Sequence, residues 1–180
     1  MTHFEFIFAG FGGQGVLSMG MIMANAGAIE GKNVSWLPSY GPEMRGGTAN
    51  CHVIISDEEI GSPVVHSADG IVCLNDPSFN KFEPVVKPGG VSVIDGALVE
   101  RSPERTDINH FSLPATELAS NAGNRTYAGI ILLGKLVAKT GAVTTESFEK
   151  ALKNVLPESK HHMIPEEMKL FKLGSEYKCS

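Results

Sequence analysis

A glycine-rich run near the start of the sequence is the first pattern that could do chemistry. It reads Gly10-Phe11-Gly12-Gly13-Gln14-Gly15 and lies between an alternating apolar segment and a helix-favouring segment. In that position glycines let a ligand approach the backbone closely, and the free N–H groups of the helix start bind anions. We expect Gly10 to allow the tight turn, and Gly12 and Gly13 to admit a phosphate-bearing ligand. A tight turn that binds no ligand is the simpler alternative.

A nicotinamide dinucleotide is one candidate ligand for this run. Such a site normally has Asp or Glu about 20 residues beyond the glycines, where the carboxylate binds the ribose hydroxyls. Here that region is Lys32 to Leu37, which contains no acidic residue, and Glu43 follows only later. The sequence therefore disfavours a free-standing NAD(P)-binding Rossmann dehydrogenase, which stays an alternative.

A second candidate segment runs from Pro38 to Thr48 and is rich in glycine and proline. Loops of this length in a compact domain are often functional. Arg45 stands beside Gly46, and an arginine next to glycines is suited to a phosphate or carboxylate contact. Contact with a ligand and contact with a neighbouring subunit are both open interpretations, and they can coexist.

The elements around these two segments predict an α/β protein, because short apolar strands alternate with helices before a mainly helical C-terminal half. We expect a single Rossmann-like three-layer domain over residues 1–180, with a mostly parallel sheet and helices on both faces. The predicted strands cover residues 4–9, 34–37, 49–56, 70–75 and 91–95. The predicted helices cover residues 16–30 and 127–139, with others starting near Asp76, Pro114, Thr144 or Thr145, and Pro165.

Three local signals give finer predictions. Asp76 followed by Pro77 is typical of an N-cap and the first helical position. The run Lys87-Pro88-Gly89-Gly90 predicts a turn, and Gly174 predicts the end of the last helix.

Composition disfavours several classes of protein. The formal net charge of -5 argues against a general nucleic-acid binder, which needs a basic face. The most apolar later stretch, Ala128 to Val137, is too short to span a membrane. No basic region precedes an apolar stretch at the start, so we expect no signal peptide and a cytoplasmic location.

The cysteines and histidines predict no metal or catalytic site in this chain. Cys51, Cys73 and Cys179 form no CxxC pair, whereas an iron–sulfur cluster needs four thiolates. We expect reduced, mostly buried thiols. His52 and His66 stand apart from any acid–nucleophile pattern, so we interpret them as structural or exposed and assign no catalytic residue.

The two glycine-containing segments together resemble a known family. The run Gly10 to Val16, followed by Ser39-Tyr40-Gly41-Pro42-Glu43-Met44-Arg45-Gly46-Gly47, is similar to the gamma subunits of 2-oxoacid:ferredoxin oxidoreductases. The likeness extends over most of the chain, to Ile60-Gly61-Ser62-Pro63, Ala68-Asp69, Lys87 to Gly90 and Gly123-Asn124. One departure is Gly129, where family members commonly carry another asparagine.

The resemblance implies a subunit that is inactive alone. Enzymes of this family convert a 2-oxoacid and coenzyme A (CoA) to an acyl-CoA and carbon dioxide, and they pass electrons to ferredoxin. Thiamine diphosphate, Mg and iron–sulfur clusters are expected on other subunits. Expected partners are alpha and beta subunits, a ferredoxin-like delta subunit, and ferredoxin as acceptor. The 2-oxoglutarate or branched-chain type is favoured over the pyruvate type, and related indolepyruvate enzymes stay open.

The resemblance also implies roles for particular residues. We expect the CoA phosphates or pantetheine arm to be held by Gly10, Gly12, Gly13, Gln14, Gly15, Arg45, Gly46 and Asn124. Arg125 is a further candidate for this contact. In the simpler interpretation, Arg125 only caps the end of the preceding helix. We expect a partner or active-site loop made of Ser39, Tyr40, Gly41, Pro42, Glu43 and Met44. A purely structural assembly subunit is a further alternative. Apolar surface left for partners predicts self-association of the isolated chain.

Overall fold

A six-stranded sheet forms the centre of the computed structural model, which describes residues 1–39 and 48–179. Its strands lie in the order β2-β3-β1-β4-β5-β6. Their bounds are β1 His3–Phe11, β2 Asn33–Ser39, β3 Thr48–Ser56, β4 Ala68–Cys73, β5 Val86–Asp95 and β6 Asn109–Leu113. Within the described residues, the five predicted strands are present, each slightly displaced or extended at its ends.

The sheet is mostly parallel, as predicted. Strands β1, β4, β5 and β6 pair in parallel, whereas β3 runs antiparallel to both β1 and β2. Strand β6 was missed by the sequence prediction. It is a short edge strand with mixed exposure, so its sequence lacks the continuous apolar run of a buried parallel strand.

Helices cover both faces of the sheet and predominate in the C-terminal half. Their bounds are α1 Val16–Ile29, α2 Asp76–Phe82, α3 Ala115–Asn121, α4 Ala128–Thr140, α5 Thr145–Val155 and α6 Ile164–Glu176. Alternation along β1 divides the core, since side chains of a strand point to opposite faces. Phe6 and Phe8 pack with α1 and α3–α6, while Ile7 and Ala9 pack with α2. This arrangement confirms the expected three layers.

Helices α4 and α6 pack in close contact through two glycines. A methyl group at Gly134 would overlap the carbonyl oxygen of Phe171, and one at Gly174 would overlap that of Ile131. The prediction that Gly174 ends the last helix was wrong, because α6 continues to Glu176. Gly174 is required for the close approach of the two backbones rather than for a C-cap.

Two other local predictions also need correction. Asn75 rather than Asp76 caps α2, since its side-chain oxygen accepts from the Ser78 amide at 2.8 Å. The run Lys87 to Gly90 is part of β5 rather than a turn between elements. There the pairing with β4 is irregular, shifting from Ala68 opposite Val86 to Gly70 opposite Val91. The glycines therefore accommodate a bulge inside the strand.

Among the described residues, the structure has no helix both long and apolar enough to cross a membrane.

Candidate ligand site at the glycine-rich loop

The glycine-rich loop joins β1 to α1 at the carboxyl end of the strand. Gly13 and Gly15 have φ of 88° and 78°, a left-handed conformation that a side chain disfavours. Gly15 occupies the N-cap position of α1 and provides no side-chain cap. The first amides of α1 consequently have no partner within the helix. They are available to an acceptor from outside, as the sequence pattern predicts.

Gln14 braces this loop from within. Its Oε1 accepts a hydrogen bond from the Phe11 amide at 2.5 Å, and its own amide donates to the Phe11 carbonyl at 3.2 Å. The side chain of Gln14 therefore fixes the path of the turn.

Gly10 is a glycine for a reason that the sequence did not reveal. It lies inside β1 and not in the turn, so the role predicted for it was wrong. A Cβ at this position would lie 2.6 Å from Gln14 Oε1 and 3.1 Å from Leu74 Cβ. Gly10 thus makes room for the brace formed by Gln14.

A crevice of about 160 Å³ opens beside the loop. It lies beyond the carboxyl ends of β1, β4 and β5, where open α/β sheets bind their ligands. Its lining combines the loop with residues from four other segments: Gly13, Gln14, Leu74, Leu98, Thr116, Arg125, Thr126 and Ala128. Sequence reasoning missed Leu74, Leu98, Thr116, Thr126 and Ala128. The strand-end rule, applied to the segments that follow β4 and β5, would have pointed to the first two.

Asn124 does not line this crevice but holds two residues that do. Its Oδ1 accepts hydrogen bonds from the Thr126 amide at 3.0 Å and from Thr126 Oγ1 at 2.6 Å. These bonds start a 3-10 turn over Arg125–Tyr127 that leads into α4. The Gly-Asn pair therefore places Arg125 and Thr126 at the crevice.

Arg125 is the one Lys or Arg side chain among the described residues that line this crevice. Its side chain is exposed, and within residues 1–39 and 48–179 it has no hydrogen bond or ion pair. The alternative that Arg125 caps the preceding helix is not seen, since the amides of Ala122, Gly123 and Asn124 satisfy the end of α3. A guanidinium in this position is suited to binding an anion beside the free amides of α1.

Asp95 hydrogen-bonds Thr116, one of the residues that line the same crevice. It is fully buried at the end of β5, and its Oδ2 accepts from the Thr116 amide at 3.1 Å and from Thr116 Oγ1 at 2.5 Å. Its Oδ1 accepts from the Ala97 amide at 3.1 Å. The carboxylate thus fixes both the turn after β5 and the start of α3.

The second predicted segment lies almost wholly outside the described residues. Ser39 is the exposed last residue of β2. The positions from Tyr40 to Gly47, which include the predicted ligand residues Arg45 and Gly46, fall in the gap between the two described ranges. Their roles stay predictions.

The cysteines of the described residues are structural in character. Cys51 and Cys73 are buried, Cys179 is partly exposed, and all three are free. Burial raises the pKa of the Cys51 thiol to about 12 and raises the pKa of Cys73 as well. Both thiols are therefore protonated at neutral pH and are poor nucleophiles.

The sheet order separates the glycine-rich loop from the end of β2. In a dinucleotide-binding fold these two ends are neighbours, and the acid on the second strand binds the ribose. Here β3 lies between β1 and β2, and β2 contains no Asp or Glu. Within residues 1–39 and 48–179, the end of β2 thus offers no acid to a ribose, and the free amides at the start of α1 favour a phosphate-bearing ligand.

Comparison with known proteins identifies relatives over nearly the whole chain. Residues 5–177 match the family model described as pyruvate ferredoxin/flavodoxin oxidoreductase. The ketoisovalerate oxidoreductase subunit VorA of Methanothermobacter thermautotrophicus is 40% identical over 171 residues, covering 94% of this chain but 35% of that protein. The chain therefore spans about a third of that relative's length. The 2-oxoglutarate synthase subunit KorC of Methanocaldococcus jannaschii is 36% identical, covering 91% of this chain and 95% of that protein.

Solved structures agree with these matches. The gamma subunit of a keto/oxoacid ferredoxin oxidoreductase from Geobacter sulfurreducens superposes with a TM-score of 0.85 at 34% identity, covering 98% of this chain and 96% of that one. A 2-oxoglutarate:ferredoxin oxidoreductase from Magnetococcus marinus, solved with 2-oxoglutarate, coenzyme A and succinyl-CoA, shares the fold. Its TM-score is 0.84 at 19% identity, covering all of this chain and 32% of that one.

Proposed function

Because the chain belongs to the pyruvate ferredoxin/flavodoxin oxidoreductase family, we propose that it is the gamma subunit of a 2-oxoacid:ferredoxin oxidoreductase complex. The near-complete mutual coverage with KorC and with the Geobacter gamma subunit supports this role. The assembled enzyme would oxidise a 2-oxoacid in the presence of CoA, yielding an acyl-CoA and carbon dioxide. Ferredoxin would take the two electrons in single-electron steps.

An iron–sulfur cluster does not fit the described residues of this chain. An iron–sulfur cluster needs four thiolates, whereas Cys51 and Cys73 are separately buried protonated thiols. Among the described residues no three His, Cys, Asp or Glu side chains are grouped as metal ligands. We propose that thiamine diphosphate, Mg and the clusters belong to the alpha, beta and delta partners, and that the gamma chain contributes binding and assembly.

The contribution of the gamma chain would be to hold CoA. One observation carries this proposal, namely that Gly13, Gln14 and Arg125 line a single crevice. Free helix amides and a guanidinium together bind phosphate oxygens. Arg45 and Gly46, from the segment between β2 and β3, would add to the same site.

Replacing Arg125 with Ala in the assembled complex tests this role. We expect the KM for CoA to rise about tenfold, because a charge-assisted hydrogen bond to phosphate is lost. The KM for the 2-oxoacid should stay unchanged, since that substrate binds on partner chains. Initial rates of anaerobic dye reduction at varied CoA measure both constants.

A matched control and a competing role make this test decisive. Lys169→Ala removes an exposed cation on α6 away from the crevice and should leave both constants unchanged. A purely structural subunit predicts instead that Arg125→Ala reduces recovery of the complex while CoA saturation stays normal. That result would contradict the CoA role.

The 2-oxoacid itself is proposed to be 2-oxoglutarate. KorC matches this chain over 95% of its own length, which is the pattern of a subunit of the same size and organisation. A branched-chain 2-oxoacid is the second candidate, because the 40% identity to VorA is slightly higher. Dye reduction by the purified complex, with each 2-oxoacid at equal concentration, distinguishes the two by kcat/KM.

A further inference from the structure

A basic cavity, called the lysine groove below, lies toward the opposite end of α4 from the glycine-rich loop. Its volume is about 620 Å³, and Lys135, Lys139 and Lys178 line it together with Phe111 of β6. Ala128, at the start of α4, lines the crevice described above, whereas Lys139 lies eleven residues further along the same helix. At the rise of an α-helix that distance is about 17 Å. The lysine groove is thus a separate site.

The lysine groove concentrates positive charge in a chain whose formal net charge is -5. Within residues 1–39 and 48–179, none of its three lysines forms an ion pair with a carboxylate. Glu176 is the one acid among the described residues that line the groove, and it lies 3.9 Å from the ammonium group of Lys172. An anionic group from outside would therefore meet three unpaired cations.

Lys135 shows that part of this charge is held in place by the fold. Its side chain is buried, and its Nζ donates to the carbonyls of Ser175 and Tyr177 at 3.3 and 2.7 Å. An ammonium group has three hydrogens, so one is left for a further acceptor. Burial lowers the pKa of Lys135, and the charge of Lys139 lowers it further. A bound carboxylate would offset both effects, because it favours the charged form of the lysine.

Lys139 connects the lysine groove to the edge of the sheet. Its Nζ lies 4.9 Å from the ring centroid of Phe111, which is a cation–π contact. Phe111 is the central residue of β6, the last strand in the sheet order. The lysines therefore lie beside a strand that pairs with β5 on one side and has no strand on the other among the described residues.

Two residues of β6 direct their backbone groups to this free edge. The Leu113 carbonyl points toward β5, because it accepts a hydrogen bond from the Gly96 amide at 2.8 Å. The N–H and C=O of one residue point to the same side of a strand, and successive residues alternate in direction. The N–H and C=O groups of His110 and Ser112 consequently face away from β5, where an added strand could pair with them.

We propose that the lysine groove and the free edge of β6 together bind an acidic, extended segment of another protein chain. The backbone of that segment would pair with His110 and Ser112, and its Asp or Glu side chains would reach the three lysines. A small anion would meet the lysines but leave the strand edge unpaired, so an acidic segment accounts for both features. The proposal goes beyond the CoA role and does not depend on it, because the groove shares no lining residue with the crevice.

Titration of the full ¹⁵N-labelled chain with a capped hexapeptide of alternating Glu and Thr tests the proposal. Alternate side chains of a strand point to one face, so all three Glu side chains of the peptide can face the lysines. The peptide should shift the His110 and Ser112 amide signals in a saturable manner and slow the exchange of these two hydrogens with solvent. The same peptide with methyl groups on alternate backbone nitrogens keeps its charge but loses donors, so it should bind about tenfold more weakly.

A double substitution, Lys139→Ala with Lys178→Ala, tests the contribution of charge. Both side chains are exposed, so the variant should fold normally. Its affinity for the Glu/Thr peptide should fall about tenfold, because two ion pairs are lost. Lys153→Ala on α5 is the matched control. It removes an exposed cation that does not line the groove and should leave the affinity unchanged.

Four results would overturn the proposal. The His110 and Ser112 signals could stay unmoved by the Glu/Thr peptide, or the N-methylated peptide could bind as tightly as the unmethylated one. The double variant could bind the peptide with unchanged affinity. Finally, inorganic pyrophosphate, the small-anion probe, could bind more tightly than the peptide, which would make the lysine groove a site for small anions instead.

Discussion

Glu83 shows how a single buried carboxylate holds an irregular segment of this chain. It is 1% exposed and accepts hydrogen bonds from Arg101 Nη2 at 2.9 Å and from the Glu104 and Arg105 amides at 3.0 and 3.3 Å. Burial alone would raise the pKa of this carboxyl, but these bonds and the charge of Arg101 hold the pKa below its ordinary value. The segment after β5 is therefore fixed by charge as well as by packing.

The Glu83→Gln substitution should destabilise the protein at neutral pH by about 3 kcal/mol, because it leaves the Arg101 guanidinium without its buried partner. The folded pKa is depressed, so the stabilisation is present above the ordinary glutamate pKa and is lost as the pH falls through the folded pKa. Urea unfolding at several pH values measures this, and the difference from the unmodified protein should shrink in acid.

Glu104→Gln is the control for that series. Glu104 contacts the same Arg101 at 3.8 Å, but its side chain is 80% exposed, so its loss should be nearly neutral. A Glu104 effect as large as the Glu83 effect would mean that burial is not the source of the stabilisation.

At the scale of elements, the contact between α4 and α6 depends on the absence of side chains at Gly134 and Gly174. Lys135 strengthens it, since this buried lysine donates from Nζ to the carbonyls of Ser175 and Tyr177 at 3.3 and 2.7 Å.

Either Gly134→Ala or Gly174→Ala should cost about 3 kcal/mol of unfolding free energy, because backbone rather than a movable side chain occupies the space. Thermal or urea unfolding followed by circular dichroism measures the loss. Gly61→Ala is the matched control, since its added methyl meets nothing within 4 Å. Unchanged or higher unfolding free energy of either helix variant would contradict the close contact, because the gain in helix propensity would then outweigh the overlap.

The elements that the sequence predicted well are those with a strong local signal. Strand β1 follows from the alternation of its residues, and the start of helix α1 follows from the glycine-rich run before it. Helix α5 follows from its N-cap Thr144, whose hydroxyl accepts a hydrogen bond from the Ser147 amide. The errors arise where tertiary contacts decide. Gly174 looks like a helix end in sequence, because only the structure shows the Ile131 carbonyl beside it. Gly10 looks like a turn glycine until Gln14 is seen folded against it.

The candidate site was predicted in part for the same reason. The glycine-rich loop has a local signature, so its position and its free amides followed from the sequence. The opposite wall could not be predicted with the same ease. Thr116 and Thr126 reach the crevice only because α3 and the 3-10 turn before α4 lie beyond the strand ends.

At the scale of the whole molecule, one sheet separates two apolar clusters. The larger cluster lies under α1 and α3–α6, and the smaller one under α2. Both contain alternate residues of the same strands, so unfolding of the sheet disrupts both clusters together. This is the physical basis for expecting a single domain over residues 1–180.

Unfolding should therefore be a single cooperative transition. Trp36, the only tryptophan, lies on β2 and packs against the larger cluster, whereas far-ultraviolet circular dichroism reports on all helices. Urea curves from the two signals should coincide. Separate midpoints would show that the molecule contains more than one cooperative unit and would contradict the single-domain expectation.

The position of β3 in the sheet limits how this fold can be redesigned. Neighbouring strands lie about 4.8 Å apart, so the end of β2 is displaced from the glycine-rich loop by about 10 Å rather than by one strand spacing. An acid introduced at Ser39 would stand too far away to reach a ribose whose phosphate lies on α1. Converting this chain into an NAD-dependent protein would require a rearranged strand order, and a changed residue at Ser39 would not be enough.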